Sequence, residues 1–188
     1  IVGGLYSIGM SPDEILAGIE SIDWEHVFAD LPERSERSFR RKRDDDLYLV
    51  KARPGIDKDG LKLPEGVVQG QKINLALTRF TRHVANIESF DDFAIPFRAV
   101  ASDIVTGEAI VLDSGNLAHA IRASMSVPAA FAPIVIDGRH LVDGGIAKNL
   151  PIDVVRSMGA DIVIAVDIST PLLTEEEVDS VLSITVQL

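Results

Sequence analysis

The spacing of apolar and polar residues predicts two helices in the first half of the chain. The segment Ser11–Glu14 is a typical helix start, because its serine can cap, its proline fits the first turn and its glutamate completes a capping box. Apolar residues then recur at helical spacing up to Ile22. A second helix is predicted over Gln71–Ala85, where one face carries four apolar residues: Ile73, Leu77, Phe80 and Val84.

Short strands and tight turns alternate with helices from Phe90 onward, which indicates the α/β class. Two hairpins are predicted, Pro96–Ile104 with Glu108–Leu112 and Ile134–Ile136 with His140–Val142. Two helices are predicted as well, Leu117–Met125 after the capping residue Asn116, and Pro151–Met158. The uninterrupted apolar run Ile162–Val166 is typical of a buried parallel strand.

The segment 31–68 differs in character and is predicted to be a peripheral arm followed by a hairpin of Leu47–Val50 with Leu61–Val68. Its basic run is Arg40, Arg41, Lys42 and Arg43. Basic clusters attract anionic lipid surfaces, so this run is a candidate for binding lipid headgroups. The alternative is a solvated arm neutralised by the adjacent aspartates 44–46. A further candidate role for an exposed arm of this kind is to pair two subunits.

Composition and charge exclude several kinds of site. The 188 residues suit one domain, and the absence of cysteine excludes disulfides, thiolate metal sites and a cysteine nucleophile. A formal net charge of −11 disfavours nucleic acid as a partner, because phosphate binding relies on lysine and arginine. The four histidines lack metal-ligand spacing, and no phosphate-binding glycine loop occurs. We therefore predict neither a metal nor a cofactor.

Asp143-Gly144-Gly145 is the most informative tripeptide in the chain, because it follows the predicted strand His140–Val142. Residues just past strand ends face the ligand crevice of α/β proteins, where a carboxylate can serve as a general base. Two glycines also allow a substrate or a neighbouring loop to approach the backbone closely. The alternative is a plain turn, as expected for Asp137-Gly138. Two other carboxylates, Asp103 and Asp167, lie at or just after predicted strands and are further candidates for a role at the crevice. For Asp103 the alternative is a cap of the predicted hairpin.

The motifs around this tripeptide occur in an order that is characteristic of one protein family. They are Arg122-Ala123-Ser124, a Pro-Phe-Pro segment over Pro128–Pro133, Asp143-Gly144-Gly145, Asn149-Leu150-Pro151, and Met158–Asp161 leading into an apolar strand. This order resembles the bacterial branch of the patatin-like phospholipase family. The opening Ile1–Met10 is similar to the helix that directly follows the nucleophile elbow of that family. The resemblance covers essentially the whole chain and is weakest between Leu31 and Gly66.

The resemblance implies hydrolysis of lipid acyl esters by a Ser–Asp dyad, most simply of the phospholipase A type, without a catalytic histidine. Matching the motif assigns Asp143 as the base that orients and deprotonates the serine. No G-x-S-x-G elbow occurs within residues 1–188, and neither does the glycine-rich oxyanion loop. Both are expected before Ile1, so we expect residues 1–188 to be an N-terminally truncated patatin-like domain that is inactive by itself.

Further expectations follow from the same resemblance. The fold is expected to be a mixed, largely parallel central sheet flanked by helices. The expected partners are a phospholipid or another lipid ester as substrate, and a membrane surface. The location is left open between the cytoplasm and an exported or cell-envelope protein of a bacterium. A non-catalytic module that binds lipid or supports assembly on the same fold is the alternative function.

Overall fold

The computed structural model describes residues 1–24, 27, 38–39, 55–57, 60–62, 70–128 and 130–167. Helix α1 (Val2–Ser7) is followed by α2 (Pro12–Glu20). The predicted capping box is present, since Ser11 Oγ accepts from the Glu14 N–H and the Glu14 carboxylate accepts from the Ser11 N–H over 2.8 Å. The local sequence therefore fixes where α2 begins.

Two longer helices form where the apolar spacing predicts them. Helix α3 (Gln71–Thr81) continues as a 3₁₀ turn through Val84, and α4 (Leu117–Ser124) begins after Asn116. The Asn116 side chain caps α4 by accepting from the His119 N–H over 3.0 Å. The core lies between α1, α3 and α4. Its most deeply buried apolar side chains include Leu5, Ile73, Leu77, Phe90 and Ile121.

The main sheet has four strands in the order β4-β3-β6-β5. These strands are β3 (Ala99–Asp103), β4 (Ala109–Leu112), β5 (Ile134–Ile136) and β6 (Arg139–Asp143). A separate two-stranded sheet precedes them in the chain and pairs β1 (Gly55–Asp57) with β2 (Gly60–Lys62). Both predicted hairpins form, and the second turns at Asp137 and Gly138 with φ of 50° and 76°. Helix α4 packs on β3 and β6.

The direction of the strands differs from the prediction. The α/β content is confirmed, but every strand pair in the described part of the chain is antiparallel, so the expected largely parallel sheet is wrong for these strands. Two antiparallel hairpins join through β3 and β6, with Ala101 opposite Asp143. Tight turns can connect only antiparallel strands, which explains the pairing within each hairpin.

The run Ile162–Val166 is likewise not a buried strand. It has no strand partner among the described residues, and Ile162 and Ile164 are 84% and 87% exposed. An apolar run signals a strand only when a neighbouring strand satisfies its main-chain groups, and the sequence alone does not reveal that neighbour. The predicted strand Leu47–Val50 and the basic residues Arg40–Arg43 lie outside the described residues. Of the predicted return strand Leu61–Val68, only Leu61 and Lys62 are described, and they belong to β2, which pairs with β1.

Two short helices complete the described fold. Helix α5 (Gly145–Lys148) follows β6 directly, and α6 (Ile152–Ser157) follows the predicted Pro151. Of the helices that the structure describes, none has the length and apolar character needed to span a bilayer. Helix α5 packs against β3, and this contact positions the candidate site described next.

Candidate active site

Asp143 is the last residue of β6 and is held by its main chain on two sides. Its N–H donates to the carbonyl oxygen of Ser126 over 2.9 Å, and its own carbonyl oxygen accepts from Ser102 Oγ over 2.8 Å. The sequence predicts a strand that stops at Val142, whereas the strand includes Asp143 itself. The carboxylate therefore projects from a fixed backbone at the end of a strand.

One oxygen of the Asp143 carboxylate is engaged locally. Oδ1 accepts from the Gly145 N–H over 2.7 Å. No donor from the residues that the structure describes bonds to Oδ2. The carboxyl group is therefore oriented through one oxygen while the other remains able to accept a proton from a hydroxyl group.

The two glycines after Asp143 are required for different reasons. A Cβ on Gly144 would lie 2.1 Å from the carbonyl oxygen of Val100, so only glycine lets the chain pass this close to β3. A Cβ on Gly145 would lie 3.0 Å from Asp143 Oδ1. The first glycine thus allows α5 to pack on the sheet, and the second gives the carboxylate its room.

Asp143 opens onto a cleft of about 360 Å³. The start of the chain lines the same cleft, with Ile1, Gly3 and Gly4. Apolar side chains line it as well: Phe97, Ile121 and Met125. A carboxylate beside an apolar wall suits a substrate with a polar ester and a hydrocarbon chain.

Glycine also lets the start of the chain approach α4 closely. A Cβ on Gly4 would lie 2.7 Å from Cδ1 of Ile121, so α1 and α4 pack with little space between them. Helix α1 ends at Ser7, and the chain then turns at Gly9, which has a φ of 94°. The start of the chain is therefore packed firmly against the helix that bears the Arg-Ala-Ser motif.

Two cationic side chains also line the cleft, and each has a carboxylate partner. Lys148 Nζ lies 2.6 Å from Asp153 Oδ2, and Arg98 Nη1 lies 2.7 Å from Asp91 Oδ1. The hydrogen bond from Lys148 lowers the pKa of Asp153. The hydrogen bond from Arg98 lowers the pKa of Asp91, and Asp91 in return raises the pKa of Arg98.

The other two candidate carboxylates, Asp103 and Asp167, do not line this cleft. Asp103 lies at the opposite end of the β3–β6 pair, where its Oδ1 accepts from the Val105 N–H over 2.9 Å. Its Oδ2 lies 3.7 Å from Nη1 of Arg139. Asp103 thus caps the β3–β4 hairpin, as the alternative interpretation held. Asp167 is exposed beyond the run Ile162–Val166.

The serines near Asp143 differ in accessibility. Ser126 is fully buried, and its hydroxyl group donates to the Arg122 carbonyl oxygen over 2.6 Å. Ser124 lines the same cleft as Asp143. Ser102 bonds to the main chain of Asp143 and not to its carboxylate. No serine in the described ranges donates to the Asp143 carboxylate.

The described histidines lie apart from the Asp143 carboxylate. His83 Nε2 donates to the carbonyl oxygen of Ile8 over 3.3 Å, which ties the 3₁₀ turn to the end of α1. His119 and His140 lie away from the cleft, and His26 is outside the described residues. Within those residues no three side chains of histidine, aspartate or glutamate are grouped to hold a metal ion.

Sequence reasoning missed Ser102, Arg98 and Lys148. Ser102 interrupts the apolar strand Ala99–Asp103 with a buried hydroxyl group, a signal that a polar partner lies opposite. Lys148 closes the four-residue helix after the glycine pair, so it is brought to the cleft with Asp143. Arg98 directly precedes β3 and gave no recognisable pattern.

The chain is similar to known proteins over most of its length. The family model described as patatin-like phospholipase matches residues 1–156. An uncharacterized NTE family protein of Mycobacterium tuberculosis is 36% identical over 104 residues, which are 55% of this chain and 28% of that protein. The mouse patatin-like phospholipase domain-containing protein 7 is 39% identical over 98 residues, which are 50% of this chain and 7% of that protein. The aligned part is thus less than a third of either relative.

Proposed function

Because the chain belongs to the patatin-like phospholipase family, we propose that it forms part of a lipid acyl-ester hydrolase in which Asp143 is the general base of a Ser–Asp dyad. The observation that carries this proposal is the position of the Asp143 carboxylate. Asp143 lines a cleft that is also lined by apolar side chains and by the start of the chain, including Ile1. The serine of the dyad is proposed to precede Ile1, where it would face Asp143 across the cleft.

The proposed reaction proceeds in two steps. The serine hydroxyl attacks the ester carbonyl carbon while Asp143 Oδ2 accepts its proton, and collapse of the tetrahedral intermediate expels the alcohol, which takes that proton. Water then attacks the acyl-serine, Asp143 accepts a proton again, and the fatty acid leaves as the serine regains its hydrogen. The bond from Gly145 N–H to Oδ1 keeps the carboxylate oriented through both steps.

A non-catalytic lipid-binding or assembly module is the competing function. The two proposals differ in the role of Asp143, because a binding module needs its shape but not its basicity. Asparagine retains that shape and cannot accept the proton. The substitution Asp143→Asn in the natural full-length protein therefore separates the two.

We expect Asp143→Asn to lower kcat/KM on a soluble acyl ester by about 10²–10⁴-fold with an unchanged melting temperature. Asp137→Asn is the matched control, since it makes the same change in the neighbouring Asp-Gly pair, where a φ of 50° suits asparagine. Ser124→Ala tests the serine that lines the cleft and should leave activity intact. If Asp143→Asn retains more than about a tenth of the activity, Asp143 is not the base.

A further inference from the structure

Lys148 lines the cleft, and its ammonium group is paired with the carboxylate of Asp153 from another helix. We propose that Lys148 is a specificity-determining residue whose ammonium group binds an anionic group on the ester substrate. In the absence of substrate the ammonium group is paired with the Asp153 carboxylate, which the substrate anion displaces. The proposal rests on the ester hydrolysis proposed above, and it adds which esters the cleft prefers. The favoured substrates carry a phosphate or another oxyanion near the scissile ester.

The position of Lys148 relative to Asp143 is fixed by hydrogen bonds. The Lys148 N–H donates to the Gly144 carbonyl oxygen over 2.8 Å, and the Ala147 N–H donates to Ser102 Oγ over 3.0 Å. Ser102 is in turn bonded to the carbonyl oxygen of Asp143. Ser102 therefore bonds both to the strand that ends in the proposed base and to the helix that carries the Lys148 ammonium group.

The ion pair between Lys148 and Asp153 is suited to exchange. Their side chains are 34% and 68% exposed, and exposed pairs of this kind contribute little to stability. Asp153 also has other stabilising partners, because the main-chain amides of Asp153 and Val154 lower its pKa together with Lys148. Asp153 can thus give up Lys148 to a substrate anion and remain ionised at the start of α6.

The second cation of the cleft, Arg98, is fixed in place. Its side chain is 16% exposed, it forms two bonds with the Asp91 carboxylate, and it donates to the Phe97 carbonyl oxygen. These three bonds hold the guanidinium group of Arg98 in one orientation on the cleft wall. A lysine ammonium, by contrast, is a point charge with rotatable donors on a flexible stem. Lys148 is therefore the cation that can change partners.

The cleft offers one exchangeable cation to an anionic ligand. Arg98 and Lys148 line it together with Asp143, and each of the two cations is paired with an aspartate outside the lining, Asp91 or Asp153. A substrate anion at Lys148 therefore replaces the carboxylate of an existing ion pair. Since Asp143 has to accept a proton near the ester, the anion must bind at the Lys148 side of the cleft.

The kinetic test compares the natural full-length protein with single variants on two matched esters, one carrying a phosphate group and one neutral. Lys148→Gln should reduce the preference for the anionic ester, measured as the ratio of the two kcat/KM values, by about 10-fold through a higher KM. Asp153→Asn should act in the opposite direction and raise that ratio about two- to fivefold, because it removes the competing carboxylate. Arg156→Gln, a change of charge on the same helix away from the cleft, is the control.

A binding measurement separates failure of this inference from failure of the proposed hydrolysis. Uncleavable ether analogues of a phosphate-bearing and a neutral lipid are titrated into the same variants, alongside inorganic phosphate. Loss of the phosphate-lipid preference in Lys148→Gln supports the assignment even when no ester is hydrolysed. Hydrolysis that depends on Asp143 but has an unchanged ratio in Lys148→Gln overturns it, as does Lys148-dependent binding of inorganic phosphate without any preference among the lipids.

Discussion

The Ser102 hydroxyl group donates to the carbonyl oxygen of Asp143 over 2.8 Å and also accepts from the N–H of Ala147 over 3.0 Å. Ser102 is 2% exposed, so water does not replace either bond. One hydroxyl group thereby connects the strand that ends in the proposed base with the helix that carries Lys148. This side chain supports the relative position of the two parts together with the bond from the Lys148 N–H to the Gly144 carbonyl oxygen.

Substitution of Ser102 by alanine should therefore affect both stability and turnover. The Ala147 N–H and the Asp143 carbonyl oxygen lose a buried partner, which costs about 1–3 kcal/mol of unfolding free energy. We also expect a lower kcat, because Asp143 and α5 can then shift. Thermal melting and ester kinetics of the full-length protein measure the two effects. Ser21→Ala is the control, since its exposed hydroxyl bonds only within α2.

The two glycines after Asp143 should respond differently to alanine. Gly144→Ala places a methyl group 2.1 Å from the Val100 carbonyl oxygen, so β3 or α5 must move, and overpacking of this kind costs about 1–3 kcal/mol or more. Gly145→Ala instead brings a methyl group to 3.0 Å from the Asp143 carboxylate. The first variant should lose stability and the second mainly activity. Equal melting temperatures for Gly144→Ala and the parent would contradict the packing described here.

The Asp91–Arg98 pair gives a pH-dependent contribution to stability. Arg98 lowers the pKa of Asp91 below its unfolded value of about 3.9. The contribution is therefore present above that unfolded value and disappears as the pH falls through the lower folded pKa. Melting temperatures measured from neutral to strongly acidic pH should fall less steeply in Asp91→Asn than in the parent. Parallel curves for the two proteins would show that the pair adds nothing.

The basic run Arg40–Arg43 is proposed to bind anionic lipid headgroups. Changing all four residues to glutamine should weaken binding to vesicles rich in acidic lipid and flatten its dependence on salt. Vesicle sedimentation at two salt concentrations measures this. Unchanged binding would support the alternative of a solvated arm. Zwitterionic vesicles serve as the control for binding that does not depend on charge.

Residues 1–188 expressed alone are expected not to hydrolyse a short-chain p-nitrophenyl ester above background. The proposed dyad needs a serine whose hydroxyl group bonds to the Asp143 carboxylate, and no serine in the described ranges does so. Robust turnover that is abolished by a serine-reactive phosphonate would place the nucleophile within this stretch. Ser124, which lines the cleft, would then be the first residue to substitute.

Local signals in the sequence predicted the local structure well. The capping box at Ser11, the cap at Asn116 and the turn at Asp137-Gly138 each depend on residues only a few positions apart. Interactions of that range can be recognised in a single sequence. The boundaries of the helices and hairpins in the described ranges therefore agree with the prediction to within a few residues.

Long-range pairing could not be predicted in the same way. The antiparallel contact of β3 with β6 sets Ala101 opposite Asp143, and nothing in either strand encodes that partner. The apolar run Ile162–Val166 matched the composition of a parallel strand, yet its residues are exposed in the structure. The Asp-Gly-Gly motif predicted a carboxylate at a strand end, but the contribution of Lys148 becomes visible only once the cleft is assembled.

The cleft between the first helix and the end of β6 has a consequence for biosynthesis. Its lining includes Ile1, Gly3 and Gly4 at one extreme of the sequence, and Asp143 with the residues that follow it at the other. A ribosome delivers the first of these segments long before the second, and the intervening chain has to be made before the two can meet. The cleft therefore cannot assemble on a short nascent chain, and a product that stops before Asp143 would carry the apolar lining of Phe97, Ile121 and Met125 without the proposed base.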